Sequence, residues 1–319
     1  MVRFIPVQCQ DFKYPSDINP QIQERSANFF RENIKKQNLQ YLSLHTDPPK
    51  SWSGKQREKI LDSEFLKEFP AILKNMLDSG NSCVSKLWCD DKKWSKDFSG
   101  FLVRLTEGIK PQLIKIIEIH PPFDTYCNSL ETFIERYATF EEEILNYFPS
   151  AIICIENRHN HPRKSNLGKF ILSTNKDIIK LAKLISESHL KLRLVVDIPQ
   201  LFSEHEQYEN KLISEKGMIE KVLTPLRDIR DFIASTHIWG KTNRKPHNAD
   251  LNIHFSNNQS VKNCFLHEIC KLFDDGKARY FLPEVLLRND EMSVEESIES
   301  IVNDLRKVGI KFVEPEFKD

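Results

Sequence analysis

The feature that most constrains the fold is an alternation along the chain between short apolar runs and longer segments of helical period. The runs are rich in β-branched residues and almost continuously apolar, as in LIKIIEI, which suits strands covered on both faces. Repeated strand and helix units of this kind build a parallel sheet. Eight runs are present: Phe4 to Val7, Tyr41 to Leu44, Cys83 to Trp88, Leu113 to Ile119, Ala151 to Ile155, Leu192 to Val196, Ala234 to Ile238 and Tyr280 to Val285. Eight units predict a (β/α)8 TIM barrel, an α/β fold in which 1–319 form a single domain with long βα loops.

The segments between the runs carry recognisable helix signals. Within 175–185, apolar residues recur at i, i+3, i+4 and i+7 after a polar opening. Ser293 and Glu296 form a capping-box pattern ahead of another apolar stripe. The stretches Thr132 to Phe148 and Ile219 to Ile233 have the same period. We predict a helix at each of these four places.

Composition restricts the class of protein. Apolar residues make up 39% of the chain, with 21 phenylalanines, which is enough to bury a sizeable core. Lysine plus arginine equals aspartate plus glutamate, at 46 each, which disfavours a histone-like DNA binder. The seven cysteines form no CxxC pair, and no apolar run approaches the ~18 residues of a bilayer span. We therefore expect a soluble, cytoplasmic protein without a secretory signal or membrane span.

Three connections are longer than the ~2 to 6 residues typical of βα loops. They are Thr46 to Ile60, Asn157 to Phe170 and Trp239 to Ile253. Long loops that follow strands are where barrels place functional residues.

A histidine or carboxylate stands at the end of most predicted strands. The six residues are His45, His120, Glu156, Asp197, His237 and Glu284. In a closed barrel the carboxyl ends of the strands converge on one mouth, so these residues could share a ligand. Imidazole nitrogen together with carboxylate oxygen is the ligand set of zinc, manganese or iron(II). We therefore expect a divalent transition metal, zinc or manganese, as cofactor.

Other interpretations exist for single members of this set. A carboxylate at a strand end is often a helix N-cap or half of a loop salt bridge, and LSLHTDPP around His45 reads as a solvated turn. Coincidence is harder to sustain for Glu156, Asp197, His237 and Glu284 together.

At these positions the chain resembles the xylose isomerase-like TIM barrels, the superfamily of endonuclease IV, ultraviolet damage endonucleases and sugar isomerases or epimerases. The resemblance covers roughly the C-terminal two-thirds of the chain. Its motifs are short, and their order after strands carries the likeness. They are IEIHPP at 117–122, CIENR at 154–158, VVDIPQLF at 195–202, THIWGK at 236–241, PHNADLN at 246–252 and FLPEV at 281–285.

The resemblance implies a metal site made of four residues, Glu156, Asp197, His237 and Glu284. It further implies that His120 is another metal-binding histidine. His247 resembles a loop histidine of the endonucleases, although it could equally be solvated.

The family's Asp-x-x-His motif is broken in this chain. Gln200 stands where the family has histidine, three residues after Asp197, and glutamine is a poor ligand for a transition metal. One or two ions are therefore expected rather than a trinuclear zinc cluster.

A nuclease would use the mouth for two-metal phosphodiester hydrolysis by metal-activated water. Substrate contacts are then assigned to Arg158, Lys241 and Arg244 in two basic loop segments, RHNHPRK and KTNRK, and to Trp239 for base stacking. A solvated loop surface is the alternative for the basic residues. We expect nucleic acid as the partner and hydrolysis as the reaction.

Two further functions remain open at this stage. A sugar or sugar-phosphate isomerase or epimerase would hold one ion in the four-residue site and use Glu156 and Glu284 as an acid and base pair. A barrel with a decayed site could instead act as a scaffold, which only Gln200 favours.

Overall fold

The structure is a computed structural model. It describes residues 1–11, 42–45, 88, 98–100, 102–103, 111–160, 168–209, 216–241, 250–285 and 292–313. These residues contain a parallel sheet whose strands lie in the order β2-β3-β4-β5-β6-β7-β8-β1-β9. The strands are β1 (Arg3–Pro6), β2 (Gln8–Asp11), β3 (Leu42–His45), β4 (Ile114–Ile119), β5 (Ile152–Glu156), β6 (Arg193–Asp197), β7 (Ile233–His237), β8 (Ala278–Leu282) and β9 (Lys311–Phe312).

The sheet curls into a barrel because β1 and β2 are consecutive parts of one extended segment. β1 pairs with β8, and β2 pairs with β3, so this segment joins the two ends of the strand order. Between them, the N–H of Val7 donates to the carbonyl of Phe281 at 3.0 Å. The predicted parallel α/β TIM barrel is thereby confirmed.

The described residues fill seven strand positions of the ring, and the run from Cys83 to Trp88 is not among them. β3 pairs directly with β4, so no strand lies between the two. Residues 83–87 lie outside the described residues, and Trp88 lies in a turn with a φ of +64°. Its buried indole packs edge-on against Phe133 and Phe140 in the helical layer, which explains the apolar character without a strand. The predicted strand itself therefore lies outside the described residues, apart from Trp88.

Helices cover the outside of the sheet. They are α1 (Leu130–Tyr147), α2 (Asn175–Ser188), α3 (Ile198–Glu209), α4 (Lys216–Leu223), α5 (Leu251–His254), α6 (Gln259–Phe273) and α7 (Val294–Lys307), with 3₁₀ helices at Pro111–Leu113 and Thr224–Phe232. The capping box of Ser293 and Glu296 is confirmed. The helix expected from Ile219 to Ile233 changes to 3₁₀ geometry at Thr224, next to Pro225, whose ring removes an α-helical hydrogen bond. Within the described ranges, none of the helices combines the length and hydrophobicity needed to cross a membrane.

Both faces of the strands are buried, and successive side chains along a strand point to opposite faces. Ile117, Ile153 and Leu194 belong to the large core between sheet and helices. Ile116, Cys154 and Val195, each one residue away, form a separate small cluster inside the ring. Residues two positions further along the same strands therefore also point into the ring, nearer its carboxyl end.

Candidate metal centre

A group of ionisable side chains lies at the carboxyl end of the barrel, on the same inward face of the strands as the small inner cluster. Two positions beyond Ile116, Cys154 and Val195 stand Glu118, Glu156 and Asp197, and all three are fully buried. The group comprises Glu118, His120, Glu156, Asp197, His237 and Glu284. The structure thus brings together five of the strand-end residues chosen from the sequence, and adds Glu118.

Asp197, His237 and Glu284 form one candidate ligand group. Nδ1 of His237 lies 3.4 Å from Oε2 of Glu284 and 4.0 Å from Oδ2 of Asp197. One donor atom from each residue lies within 4.8 Å of the other two, and all three residues are buried. Two carboxylates and an imidazole suit a transition metal, and three protein ligands leave a coordination position open for substrate or water. The residues present therefore fit the expected cation.

Glu156 is held by several donors at once. Its Oε2 lies 2.8 Å from Nε2 of His120, and its Oε1 accepts from Nε2 of Gln200 at 2.8 Å and from Nη1 of Arg158 at 3.4 Å. Burial alone would raise the pKa of Glu156, but the charges of His120 and Arg158 outweigh it and bring the pKa well below its usual range. Glu156 is therefore an ionised carboxylate in a fixed orientation.

Gln200 bridges two carboxylates as a hydrogen-bond donor. Its Oε1 accepts the backbone N–H of His159 at 3.3 Å, which leaves Nε2 to face Glu156 at 2.8 Å and Asp197 at 2.9 Å. This position follows from α3, which begins directly after Asp197 and brings Gln200 back over the strand end. A neutral hydrogen-bond donor thus lies between two of the expected ligands, at the position where the resemblance predicts a histidine.

Asp197 shows that negative charge accumulates here. Its carboxylate accepts hydrogen bonds from the indole of Trp239 at 3.1 Å and from the backbone N–H of Gln200 at 3.0 Å. Burial and the neighbouring carboxylates of Glu156 and Glu284 nevertheless raise the pKa of Asp197 to about 8. A divalent cation bound here would relieve this repulsion.

Glu118 is a member of the centre that the strand-end search missed. Its Oε2 lies 3.0 Å from Nε2 of His237, and Glu118, Glu156 and His237 form a second set of donor atoms within 4.8 Å of one another. The sequence contained a signal for it. Glu118 lies two residues after Ile116 and two residues before His120, so all three side chains point to the same face of the strand.

Trp239 and Lys241, two residues that we assigned to substrate binding, have partners within the protein. Trp239 is 1% exposed and directs its indole N–H at Asp197, so its ring supports the centre instead of presenting a face to a base. The ammonium of Lys241 bonds to Oγ of Ser203 at 2.9 Å and to the carboxylate of Glu206 at 2.6 Å, which neutralises its charge locally.

Arg158 stays at the centre, where its Nη1 is 3.4 Å from Nε2 of His120. Of the remaining assignments, His247 and Arg244 lie outside the described residues. His45 ends β3 as expected, but its side chain lies outside what the structure describes.

No family model and no curated protein matches this sequence. Solved structures match its fold, among them the IOLI protein, a xylose isomerase domain protein and a glycoside hydrolase. The IOLI protein, solved with a zinc atom, has a TM-score of 0.47 at 10% identity over 97% of this chain and 98% of its own. A xylose isomerase domain protein from Alicyclobacillus acidocaldarius has a TM-score of 0.48 at 10% identity, covering 95% and 98%. At this level of identity the likeness extends to the fold alone.

Proposed function

We propose that the protein is a metal-dependent phosphodiesterase that cleaves nucleic acid at the carboxyl-end mouth of the barrel. The observation that carries the proposal is the guanidinium of Arg158 beside the metal centre. Its Nη1 lies 3.4 Å from both His120 Nε2 and Glu156 Oε1, and its side chain is only 11% exposed. Guanidinium is the side-chain group best matched to phosphate, because its N–H groups match a pair of phosphate oxygens.

Asp197, His237 and Glu284 would hold the zinc or manganese ion. A bound ion at this place supplies Lewis-acid polarisation of a phosphoryl oxygen and lowers the pKa of a water to ~7. Arg158, which contacts Glu156, would add its own positive charge to the one that the metal ion supplies for binding a phosphodiester.

The remaining residues fix the orientation of these groups. Glu156 accepts hydrogen bonds from Gln200 and Arg158, which holds the guanidinium beside the centre. It also contacts Nε2 of His120, which fixes the imidazole, and Trp239 holds Asp197 from the opposite side. Deep burial removes competing water and strengthens each of these electrostatic interactions.

Nucleic acid is the substrate class that also gives the long loops a role. The segment after β5 contains Arg163 and Lys164, and the segment after β7 contains Arg244 and Lys245. These loops follow β5 and β7, the neighbours of β6, and basic residues are the side chains that contact the phosphates of nucleic acid.

The second candidate function is isomerisation or epimerisation of a sugar, with Glu156 and Glu284 as acid and base. The observation that favours it is burial: Glu156 is 0% exposed and Glu284 is 7% exposed, which suits a small substrate better than a strand. It assigns no task to Arg158 when the sugar is neutral.

A substrate panel separates the two functions. Purified protein loaded with Zn²⁺ or Mn²⁺ is tested on single-stranded, duplex and abasic DNA, on RNA, and on bis(p-nitrophenyl) phosphate. Aldoses, ketoses and their phosphates are tested for solvent deuterium uptake in D₂O by NMR. We expect phosphodiester cleavage without deuterium uptake.

The Arg158→Met variant tests the observation itself. We expect a ~100- to 1,000-fold loss of phosphodiesterase activity, as for removal of one donor to a developing oxyanion, with metal content unchanged. Arg193→Met, at the amino end of β6, is the matched control and should keep its activity. Sugar deuteration that Glu284→Gln abolishes, in the absence of phosphodiester cleavage, would replace the proposal with isomerisation.

A further inference from the structure

The carboxylate of Glu118 lies inside the barrel, beside His237 at the metal centre. It is fully buried, and the residues before it on the same face of β4 and the neighbouring strands are Ile116, Cys154 and Val195. A carboxylate in such apolar surroundings costs several kcal/mol in lost hydration unless a specific partner compensates it. Its presence there points to a specific task.

The partner is the imidazole of His237. Oε2 of Glu118 lies 3.0 Å from Nε2 of His237, while the other ring nitrogen, Nδ1, faces Glu284 at 3.4 Å and Asp197 at 4.0 Å. The two nitrogens of this ring are therefore divided between two different carboxylate environments. A neutral imidazole carries its proton on one nitrogen and has its ligand lone pair on the other.

We infer that Glu118 is a positioning residue for the metal centre, which accepts the N–H of His237 Nε2 and so leaves Nδ1 as the ligand atom toward Asp197 and Glu284. The carboxylate fixes the tautomer and the ring orientation, and it raises the basicity of the ligand nitrogen. The inference rests on the metal centre of the proposed function, but not on the reaction catalysed there.

The competing role for Glu118 is direct coordination. Glu118, Glu156 and His237 can each supply a donor atom within 4.8 Å of the others. That role would require Nε2 of His237 to be the ligand atom, which would turn Nδ1 and its neighbours Asp197 and Glu284 away from the same ion. The two roles differ in what glutamine can replace, because a glutamine oxygen can accept the Nε2 proton but is a poor ligand for a transition metal.

The test is titration with Co²⁺, whose visible absorption bands report the ligands and their geometry. Wild type is compared with Glu118→Gln and Glu118→Leu, and circular dichroism and thermal unfolding of the metal-free proteins check the fold. Glu141→Gln is the control, because Glu141 is a buried carboxylate on α1 that accepts the hydroxyl of Tyr137 far from the centre.

We expect Glu118→Leu to weaken Co²⁺ binding ~10- to 100-fold and to alter the absorption bands, as for loss of a carboxylate behind a ligand histidine. Glu118→Gln should restore most of the affinity and the wild-type bands, and Glu141→Gln should bind as wild type does.

Three results would overturn the inference. Glu118→Leu with wild-type affinity and bands would show that His237 needs no support. Glu118→Gln as weak as Glu118→Leu, with bands indicating a lost oxygen ligand, would make Glu118 a direct ligand. Wild type without any Co²⁺ site would remove the metal centre itself. Failure of phosphodiester cleavage with Co²⁺ binding as expected would refute only the proposed function.

Discussion

The two ends of the barrel handle buried charge in opposite ways. Near the amino end of β8, Arg279 is 2% exposed and faces Asp275 with two parallel contacts, Nη1 to Oδ1 at 2.7 Å and Nη2 to Oδ2 at 2.6 Å. It also donates to the carbonyls of Ile233 and Arg230 at 3.1 and 2.9 Å. Here the buried cation has an anionic partner, which Arg230 also approaches at 3.9 Å, and the guanidinium of Arg279 donates to both the carboxylate and the backbone carbonyls.

The carboxyl end lacks this balance. Among the described residues in contact there, four carboxyl groups accompany two imidazoles and the guanidinium of Arg158. A paired buried charge stabilises the fold, whereas an excess of buried carboxylates is relieved by protonation, as the raised pKa of Asp197 indicates, or by a bound cation. The comparison therefore assigns stability to one end and binding to the other, as is usual for this fold.

The largest effect is expected from removing one charge at the mouth by Glu284→Gln. Loss of a ligand should reduce turnover by ~1,000-fold or more, of the order found when a central electrostatic group is removed. The stability of the metal-free protein should be unchanged or slightly higher, because the substitution relieves repulsion of Asp197. Steady-state kinetics, elemental analysis and urea denaturation of the chelated protein check the two halves of this prediction.

If Glu284→Gln retained activity, Glu284 would have no part in the reaction. A metal-free variant that no longer folds would show that the mouth stabilises the barrel after all, and the contrast between the two ends would fail.

The features of this molecule that the sequence could predict are those with a local cause. Short β-branched runs have local causes, so six of the eight predicted strands coincide with strands of the ring that keep their predicted order, and the first one extends into the β1–β2 segment. Parallel strands place their carboxyl ends together, so a search of those ends found His120, Glu156, Asp197, His237 and Glu284. The search missed Glu118 because it took one residue at the end of each run, and for the run from Leu113 to Ile119 it took His120.

The environments of Trp239 and Lys241 depend on tertiary packing and could not be predicted from the sequence. Trp239 and Lys241 stand in a loop and read as exposed substrate contacts, yet α3 lies beside them. Asp197, directly before this helix, accepts the indole N–H, and Ser203 and Glu206 on the helix bind the ammonium. These partners are 35 to 42 residues away in sequence, and no local pattern encodes which loop will cross which helix.

The next largest effect is expected at the opposite end, from Asp275→Ala. Removing the partner of buried Arg279 leaves a cation in a site that is only 2% exposed, and should lower the free energy of unfolding by about 3 kcal/mol. Urea denaturation measures the change. Asp231→Ala removes the partner of Lys277 in a pair that is 60% and 67% exposed, and as the matched control it should cost less than about 1 kcal/mol. Equal losses in both variants would show that burial of the Arg279 pair contributes nothing.

The smallest effect concerns pH and sharpens the same comparison. Burial would raise the pKa of Asp275, but hydrogen bonds from Arg279 and Lys277 lower it to about 2. A carboxyl group whose pKa is lower in the folded than in the unfolded protein stabilises the fold above the unfolded pKa of about 4, and this stabilisation is lost as pH falls from about 4 to 2. It amounts to at most about 2 kcal/mol. Denaturation of wild type and Asp275→Asn from pH 6 to 2 should show a difference that is constant down to pH 5 and then shrinks, whereas a difference that persists at pH 2 would mean that the ionisation of Asp275 does not stabilise this end.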